Sequence, residues 1–327
     1  MRAADSAQAR LDPQARALIE RSVRSAGPAP GSVGVEEARR LYRESRLAVA
    51  PPPVAVGEVR DFSIASPGLA IGARYYRPLG TKREEALPAV VYFHGGGWTC
   101  GDLDTHDSVC RGIAAHGFCA VVAVDYRMGP EHKFPAAVED ALTSLQWVAA
   151  HASSLGVDPA RLVVAGESAG GNLAAVAALA LRDSALRLAM QVLVYPVTDQ
   201  AADTDSLRTF AQGYLLTREL LRWYQGNYLR DERDRVDWRA SPLRAQDHSR
   251  LPPAYIVTAG FDPLRDEGKA YAERLVQAGV DVTHECFEGQ IHGFLPMAGV
   301  IAAAHHAHYR IGQLLRMRFG TLSIVRP

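Results

Sequence analysis

Leu162-Val163-Val164-Ala165-Gly166-Glu167-Ser168-Ala169-Gly170 decides how this chain folds, because a short apolar run turns there, within one glycine-flanked corner, into a helical pattern. The run suits a strand buried on both faces. From Ala169 to Arg182 the alanine- and leucine-rich spacing suits a helix. A serine held between the two, with glycine two residues before and two after, fits a G-x-S-x-G corner. So tight a corner strains the serine backbone, and side chains at 166 or 170 would collide, hence glycine at both. The hydroxyl is then presented at the carboxyl end of the strand with a helix amino terminus beneath it. G-x-S-x-G alone also describes ordinary strand-to-helix turns; its placement between these elements favours a nucleophile.

On both sides of this corner, short apolar runs alternate with helical stretches. The runs are Ala89–Phe93, Cys119–Val124, Leu162–Ala165, Met190–Tyr195, Ala254–Thr258 and Val282–Phe287. Helices are expected over His106–His116, Ala136–His151, Ala169–Arg182, Asp266–Ala278 and Val300–Met317. That alternation predicts an α/β fold with a mostly parallel central sheet covered on both faces. Upstream, Val59–Ala65 and Ala70–Arg77 read as an antiparallel pair turning near Pro67-Gly68. Before it, Gln14–Ser25 and Val35–Leu47 have helical spacing, separated by the breakers of Gly27-Pro28-Ala29-Pro30-Gly31 and ended by Pro51-Pro52-Pro53. The connection from Pro196 to Pro252 is too long for a simple crossover, has helical spacing around Thr217–Leu229, and suits a lid or binding element. The expected organisation is N-terminal cap helices at 1–50, a catalytic core at 51–198, a cap insertion at 199–240 and the rest of the core at 241–327.

The 327 residues, 48% hydrophobic and 22% charged, are enough for a large core carrying an insertion. Lys plus Arg equals Asp plus Glu at 36 each, leaving no net field to draw nucleic acid or an anionic membrane, so neither is an expected partner. Cys100, Cys110, Cys119 and Cys286 show neither zinc-site pairing nor disulfide density. Arg2, Asp5 and Arg10 interrupt the alanine-rich start, which lacks the apolar core of a signal peptide, and no long uncharged apolar run suggests a membrane span. A soluble cytoplasmic protein is expected; a homodimer is an option the sequence leaves open.

A serine hydroxyl attacks only when a base removes its proton, and the usual base is a histidine oriented by a carboxylate. His292, in Gln290-Ile291-His292-Gly293-Phe294 just after the run Val282–Phe287, stands at a carboxyl end. His284 falls inside that run, His248 precedes the required carboxylate, and His305, His306 and His308 suit a solvated face of the last helix. Asp262, in Gly260-Phe261-Asp262-Pro263-Leu264 after Ala254–Thr258, is preferred as the carboxylate over Asp266, whose place suits a helix cap or macrodipole role. His94-Gly95-Gly96-Gly97-Trp98 follows Ala89–Phe93, and its bare N–H groups, with that of Ala169, could converge on an oxyanion. A phosphate-cradling loop is the weaker reading, since no G-x-x-x-x-G-K-[ST] or G-x-G-x-x-G accompanies it.

Other features have plainer accounts. Trp98, Phe210, Tyr214, Trp223 and Tyr224 could line a pocket or serve as packing, with Trp98 and Tyr214 carried forward as substrate-binding candidates. Asp102, Asp104 and His106 resemble a metal cluster only superficially, and no metal is expected. Arg208–Arg250 suits a solvated mixed-charge surface, and for Glu267 a surface ion pair is simpler than orienting the neighbouring loop.

Together these stretches resemble the hormone-sensitive-lipase-like carboxylesterases of the α/β-hydrolase fold. The resemblance rests on His94-Gly95-Gly96-Gly97-Trp98; on Asp125-Tyr126-Arg127, Pro130-Glu131-His132 and Phe134-Pro135-Ala136; and on Gly166 to Asn172. It continues through Tyr195-Pro196, Asp262 to Gly268 and His292-Gly293-Phe294, covering most of the chain. It implies Ser168, Asp262 and His292 as a catalytic triad, Gly96, Gly97 and Ala169 as oxyanion donors, and His94 as a structural support of the glycine loop. It further implies short to medium acyl esters as substrates, no cofactor, and a cap of N-terminal helices plus an insertion. Met128-Gly129 stands where Leu-Ala is common in the family and Glu167 where Asp is common, both bearing on local packing. A non-catalytic small-molecule receptor, or a hydrolase of lactones, thioesters or amides, remains the alternative.

Overall fold

The computed structural model describes residues 10–25, 27–28, 30–66 and 68–320. Of the alanine-rich start Met1–Arg10, read above as lacking a signal-peptide core, residues 1–9 lie outside the described residues, as do the turn residue Pro67 and Ala29. In chain order the elements are α1 (Pro13–Ser25), α2 (Val35–Leu47), β1 (Glu58–Ser66), β2 (Leu69–Arg77), β3 (Leu87–Phe93), α3 (Asp107–Gly117) and β4 (Ala120–Asp125). They continue with α4 (Ala136–Ala150), the one-turn α5 (Ala152–Leu155), β5 (Val157–Glu167), α6 (Ala169–Leu181), β6 (Met190–Val194), α7 (Asp205–Thr209) and α8 (Arg218–Tyr228). The chain closes with β7 (Ala254–Phe261), α9 (Arg265–Gln277), β8 (Val282–Ile291) and α10 (Ala302–Phe319).

The strands form one eight-stranded sheet in the order β1-β2-β4-β3-β5-β6-β7-β8. β1, β2 and β4 pair antiparallel, and every pair from β4/β3 to β7/β8 is parallel. This is the mostly parallel sheet that the alternating runs predict. Strand side chains alternate between two cores: Ala89, Val91 and Phe93 face α4 and α6, whereas Val90 and Tyr92 face α3 and α10. Both faces of the central strands β3, β4, β6 and β7 are buried, so those strands are continuous apolar runs rather than alternating ones, while the edge strand β8 is largely half-exposed.

α6 is buried all round, with only Ala180 exposed among its thirteen residues, which explains its alanine and glycine content: small side chains let it lie close to the sheet beneath the serine. The terminal helix corrects one expectation. His305 and His306 are exposed, but His308 is 3% exposed and packs beside Gly112 of α3, and burial pushes its pKa down to about 3. Among the described residues, no helix is long and apolar enough to cross a membrane.

Candidate active site

Parallel strands put the ends of β3, β5, β7 and β8 at one rim, and the residues singled out in the sequence lie there. Ser168 follows β5 with φ +56° and caps α6, a left-handed conformation unfavourable for any side-chain-bearing residue. The strain is held by surrounding backbone. Ser168 N–H donates to Val194 O of β6 at 2.9 Å, and a Cβ on Gly166 or Gly170 would overlap the Phe93 carbonyl of β3.

The histidine and carboxylate arrive from the next strands. β8 runs to Ile291, so His292 is the first residue beyond it; Asp262 is the first beyond β7. With the imidazole proton on Nδ1, that N–H donates to Asp262 Oδ2 at 2.8 Å, and the Ser168 hydroxyl donates to Nε2 at 2.8 Å. Asp262 is fully buried, its Oδ1 accepting Leu264 N–H at 2.8 Å, so its position is set before the imidazole arrives. The Tyr195 ring lies 4.7 Å from the imidazole and its hydroxyl accepts Leu295 N–H at 3.2 Å, backing the loop from behind. Asp266 is elsewhere. It accepts Ser206 N–H at 2.8 Å and pairs with Arg265, while Leu264 occupies the cap position of α9, so a first-turn macrodipole role survives and the capping role does not.

The glycine loop leaves β3 beside the elbow. Gly96 and Gly97 have φ of +117° and +62°, and among the described residues neither N–H has an acceptor. The Ala169 N–H is in the first turn of α6, where no intrahelical acceptor exists. A Cβ on Gly97 would run into the Tyr224 ring, so glycine is required there by both backbone and neighbour. His94 is buried, its Nδ1 bonding Gly95 O at 2.7 Å and its ring stacking on Tyr126 at 4.6 Å; burial drives its pKa down to about 4.

Glu167 sits behind this loop, buried, accepting the Gly95 N–H and standing 2.8 Å from His106 Nε2. Burial pushes its pKa up, but His106 and the Gly95 N–H outweigh that and hold it below the ordinary value. Sequence reasoning put His106 in a superficial metal cluster; instead it backs the residue preceding the serine, while Asp102 and Asp104 each pair with Arg43. Among the described residues no group of three or more His, Cys, Asp or Glu is arranged to hold a metal ion.

Glu267 departs from its surface-ion-pair expectation. It is 3% exposed; its Oε1 accepts the N–H groups of Thr198 (2.7 Å) and Asp199 (3.3 Å), fixing the chain as it leaves β6. Burial lifts its pKa to about 8, the two N–H groups opposing the shift and the Asp199 and Asp262 charges adding to it.

A cavity of about 770 Å³ opens over Ser168 and His292. α2 contributes Tyr42 and Arg46, and the segment between β6 and β7 contributes Leu216, Leu221 and Tyr224. Trp98 reaches its wall but is 2% exposed and stacked on Tyr228 with ring centroids 4.1 Å apart, so packing dominates there. Tyr214 corrects its assignment as a substrate contact. Its ring packs on Phe210 and Phe261 at 5.2 and 5.4 Å, away from the cavity lining, which takes the neighbouring Leu215 and Leu216 instead. Arg46 and Tyr42 were not foreseen, since α2 shows only helical spacing in the sequence.

A family profile described as alpha/beta hydrolase fold matches residues 90–296. The chain is 45% identical over 265 residues to carboxylic ester hydrolase LipN of Mycobacterium tuberculosis, covering 79% of this chain and 70% of that one. It is 38% identical over 282 residues to an arylesterase of Saccharolobus solfataricus, covering 86% and 90%. An ester-hydrolase structure from the metagenome of Lake Arreo superposes with a TM-score of 0.91 at 38% identity, covering 95% of this chain and 99% of that one. With the strand order, the elbow and the glycine loop already pointing the same way, these likenesses place the chain in the hormone-sensitive-lipase-like carboxylesterase family of the α/β-hydrolase fold.

Proposed function

We propose that the protein hydrolyses short to medium acyl esters through an acyl-enzyme, with Ser168 as nucleophile, His292 as general base and Asp262 orienting the imidazole. The observation that carries this reading is one imidazole bonded at 2.8 Å on each side, to the Asp262 carboxylate and the Ser168 hydroxyl. His292 takes the hydroxyl proton as Oγ attacks the ester carbonyl. The oxyanion accepts the N–H groups of Gly96, Gly97 and Ala169, each such donor contributing ~3 kcal/mol to the transition state. His292 then gives its proton to the departing alcohol. Water, deprotonated by the same imidazole, attacks the acyl-enzyme and releases the acid and the serine.

In this reading the cap is made by the helices α1 and α2 within the expected 1–50 segment and by the insertion 199–240, supported by the cavity-lining side chains of α2 and of the insertion. Leu216, Leu220 and Leu221 give the acyl chain an apolar wall, where each buried methylene contributes ~0.8 kcal/mol. A cytoplasmic setting belongs to the same proposal, as four free thiols, three of them buried, suit a reducing compartment. The test is a rate series on p-nitrophenyl esters of graded acyl length. Ser168→Ala should lower kcat by about six orders of magnitude, by analogy with serine-protease triads. Near-normal turnover in that variant would sink the assignment.

A further inference from the structure

α2 carries four arginines, and three are committed. Arg39 forks onto Glu131 at 2.7 Å, Arg40 lies between Glu37 and Glu44 at 2.6 Å from each, and Arg43 spans Asp102 and Asp104 at 2.5 Å from each. Arg39, Arg43 and Arg46 follow one another at helical spacing on the side that meets the rest of the molecule. Arg46 lines the cavity, and among the described residues no carboxylate forms an ion pair with it. Its Nε is buried without a hydrogen-bond partner. Its carbon Cζ lies 4.9 Å from the Tyr42 ring centre, and Nη2 and Nη1 stand 3.4 and 3.7 Å from where a Cβ on Gly293 would be. The guanidinium therefore lies next to the residue that follows His292. Burial works against its charge, and Tyr42, then Glu167, more than offset that and hold its pKa above the ordinary value; Glu167 already serves His106 and the Gly95 N–H.

The rest of the cavity wall has the same charge bias, although the whole chain balances. Its other acidic members are spent: Asp199 on Arg244, Asp231 on Arg233, Glu232 on Arg235, and Glu267 on the N–H groups of Thr198 and Asp199. Arg218 and Arg222 also line it with no carboxylate partner among the described residues, and Lys133 donates only to the carbonyls of Gly226 and Leu229. A partly buried guanidinium without a counter-ion is unfavourable unless something anionic completes it.

We infer that Arg46 is a specificity residue that receives a carboxylate on the substrate, so that the preferred esters carry a free acid group besides the scissile ester. This rests on the esterase reading above. A carboxylate matches the guanidinium fork, and one such charge-assisted pair is worth roughly tenfold or more in affinity. The acid could sit on the alcohol half or the acyl half.

Two probe pairs distinguish these cases: 3-acetoxybenzoate against 3-acetoxybenzamide for the alcohol half, and the monophenyl ester of adipic acid against its terminal amide for the acyl half. In the unaltered protein, at least one acid should exceed its amide in kcat/KM, and the pair that does so identifies the half. In Arg46→Met that acid-to-amide ratio should fall about tenfold, with the change in KM, while Arg46→Lys should lose less. Amides equal to or better than acids in both pairs overturn the inference, with no variant needed. So does an Arg46→Met protein in which acid and amide fall together, the pattern of a merely structural arginine. Failure of the esterase reading looks different: neither member of either pair is hydrolysed.

Discussion

The two walls of the cavity are built on different physics. At the Ser168 elbow, strand, corner and helix are almost wholly buried, and the left-handed backbone is closely neighboured: Gly96 by the Cys100 carbonyl, Gly97 by the Tyr224 ring, and Ser168 by the Val194 carbonyl that accepts its N–H. Facing it, α2 is joined to the rest of the molecule by partly exposed arginine–carboxylate pairs, Arg39 with Glu131 and Arg43 with Asp102 and Asp104, while the β6–β7 insertion adds surface pairs to its buried Tyr224 and Tyr228. Packing fixes positions to fractions of an ångström, because interiors have no spare volume. Exposed ion pairs are screened and hold position weakly. In the proposed reaction, chemistry that needs an unchanging geometry falls on the first wall, and the side chains proposed to meet the variable part of a ligand are on the second.

The comparison is sharpened first by Gly170→Ala. The added methyl would overlap the Phe93 carbonyl, a strand group with no room to retreat, so destabilisation should exceed about 3 kcal/mol or leave no folded protein. Urea unfolding measures it, and a midpoint close to the parent's would mean that the elbow is looser than its contacts indicate.

Glu267→Gln probes the seam between the walls. The carboxyl keeps its proton to about pH 8 when folded and to about 4.5 when free. The folded state thus binds more protons between those values, and stability falls as pH rises through that window, levelling off above about 8. Glutamine keeps the oxygen that Thr198 and Asp199 bond to and cannot ionise. The variant's Tm should gain on the parent's steadily from pH 5 to 8, by an amount on the order of a few kcal/mol in stability. Parallel Tm–pH curves would show that the carboxyl is not held neutral.

The smallest effect is expected at Arg39→Ala, which removes the fork to Glu131 and the bonds to Thr99 O (2.8 Å) and Gly129 O (3.0 Å). Global stability should drop by no more than about 1 kcal/mol. Hydrogen exchange should speed up in α2 and stay unchanged in β5 and α6. Equal acceleration in all three would erase the distinction between the walls.

Much of this was legible in the linear chain. The alternation of apolar runs and helical spacing located every strand of the parallel sheet, with ends displaced by a few residues, as at β8, which runs on from Phe287 to Ile291. Ser168, Asp262 and His292 could be proposed because each follows a strand directly, and parallel strands bring such positions to one rim. Where the reading failed, polar residues were judged by composition instead of by what covers them. Glu267 and His308 are buried by distant elements, and Tyr214 turns toward Phe261 while its neighbours line the cavity.

The sequence by itself determined the sheet, the strained corner and the rim positions, because periodicity and glycine placement are local consequences of backbone sterics. Only the tertiary structure decided which of four arginines on α2 is left without a counter-ion and which carboxyl loses its charge. Those outcomes depend on desolvation and on partners dozens or hundreds of residues away, and no local pattern encodes them.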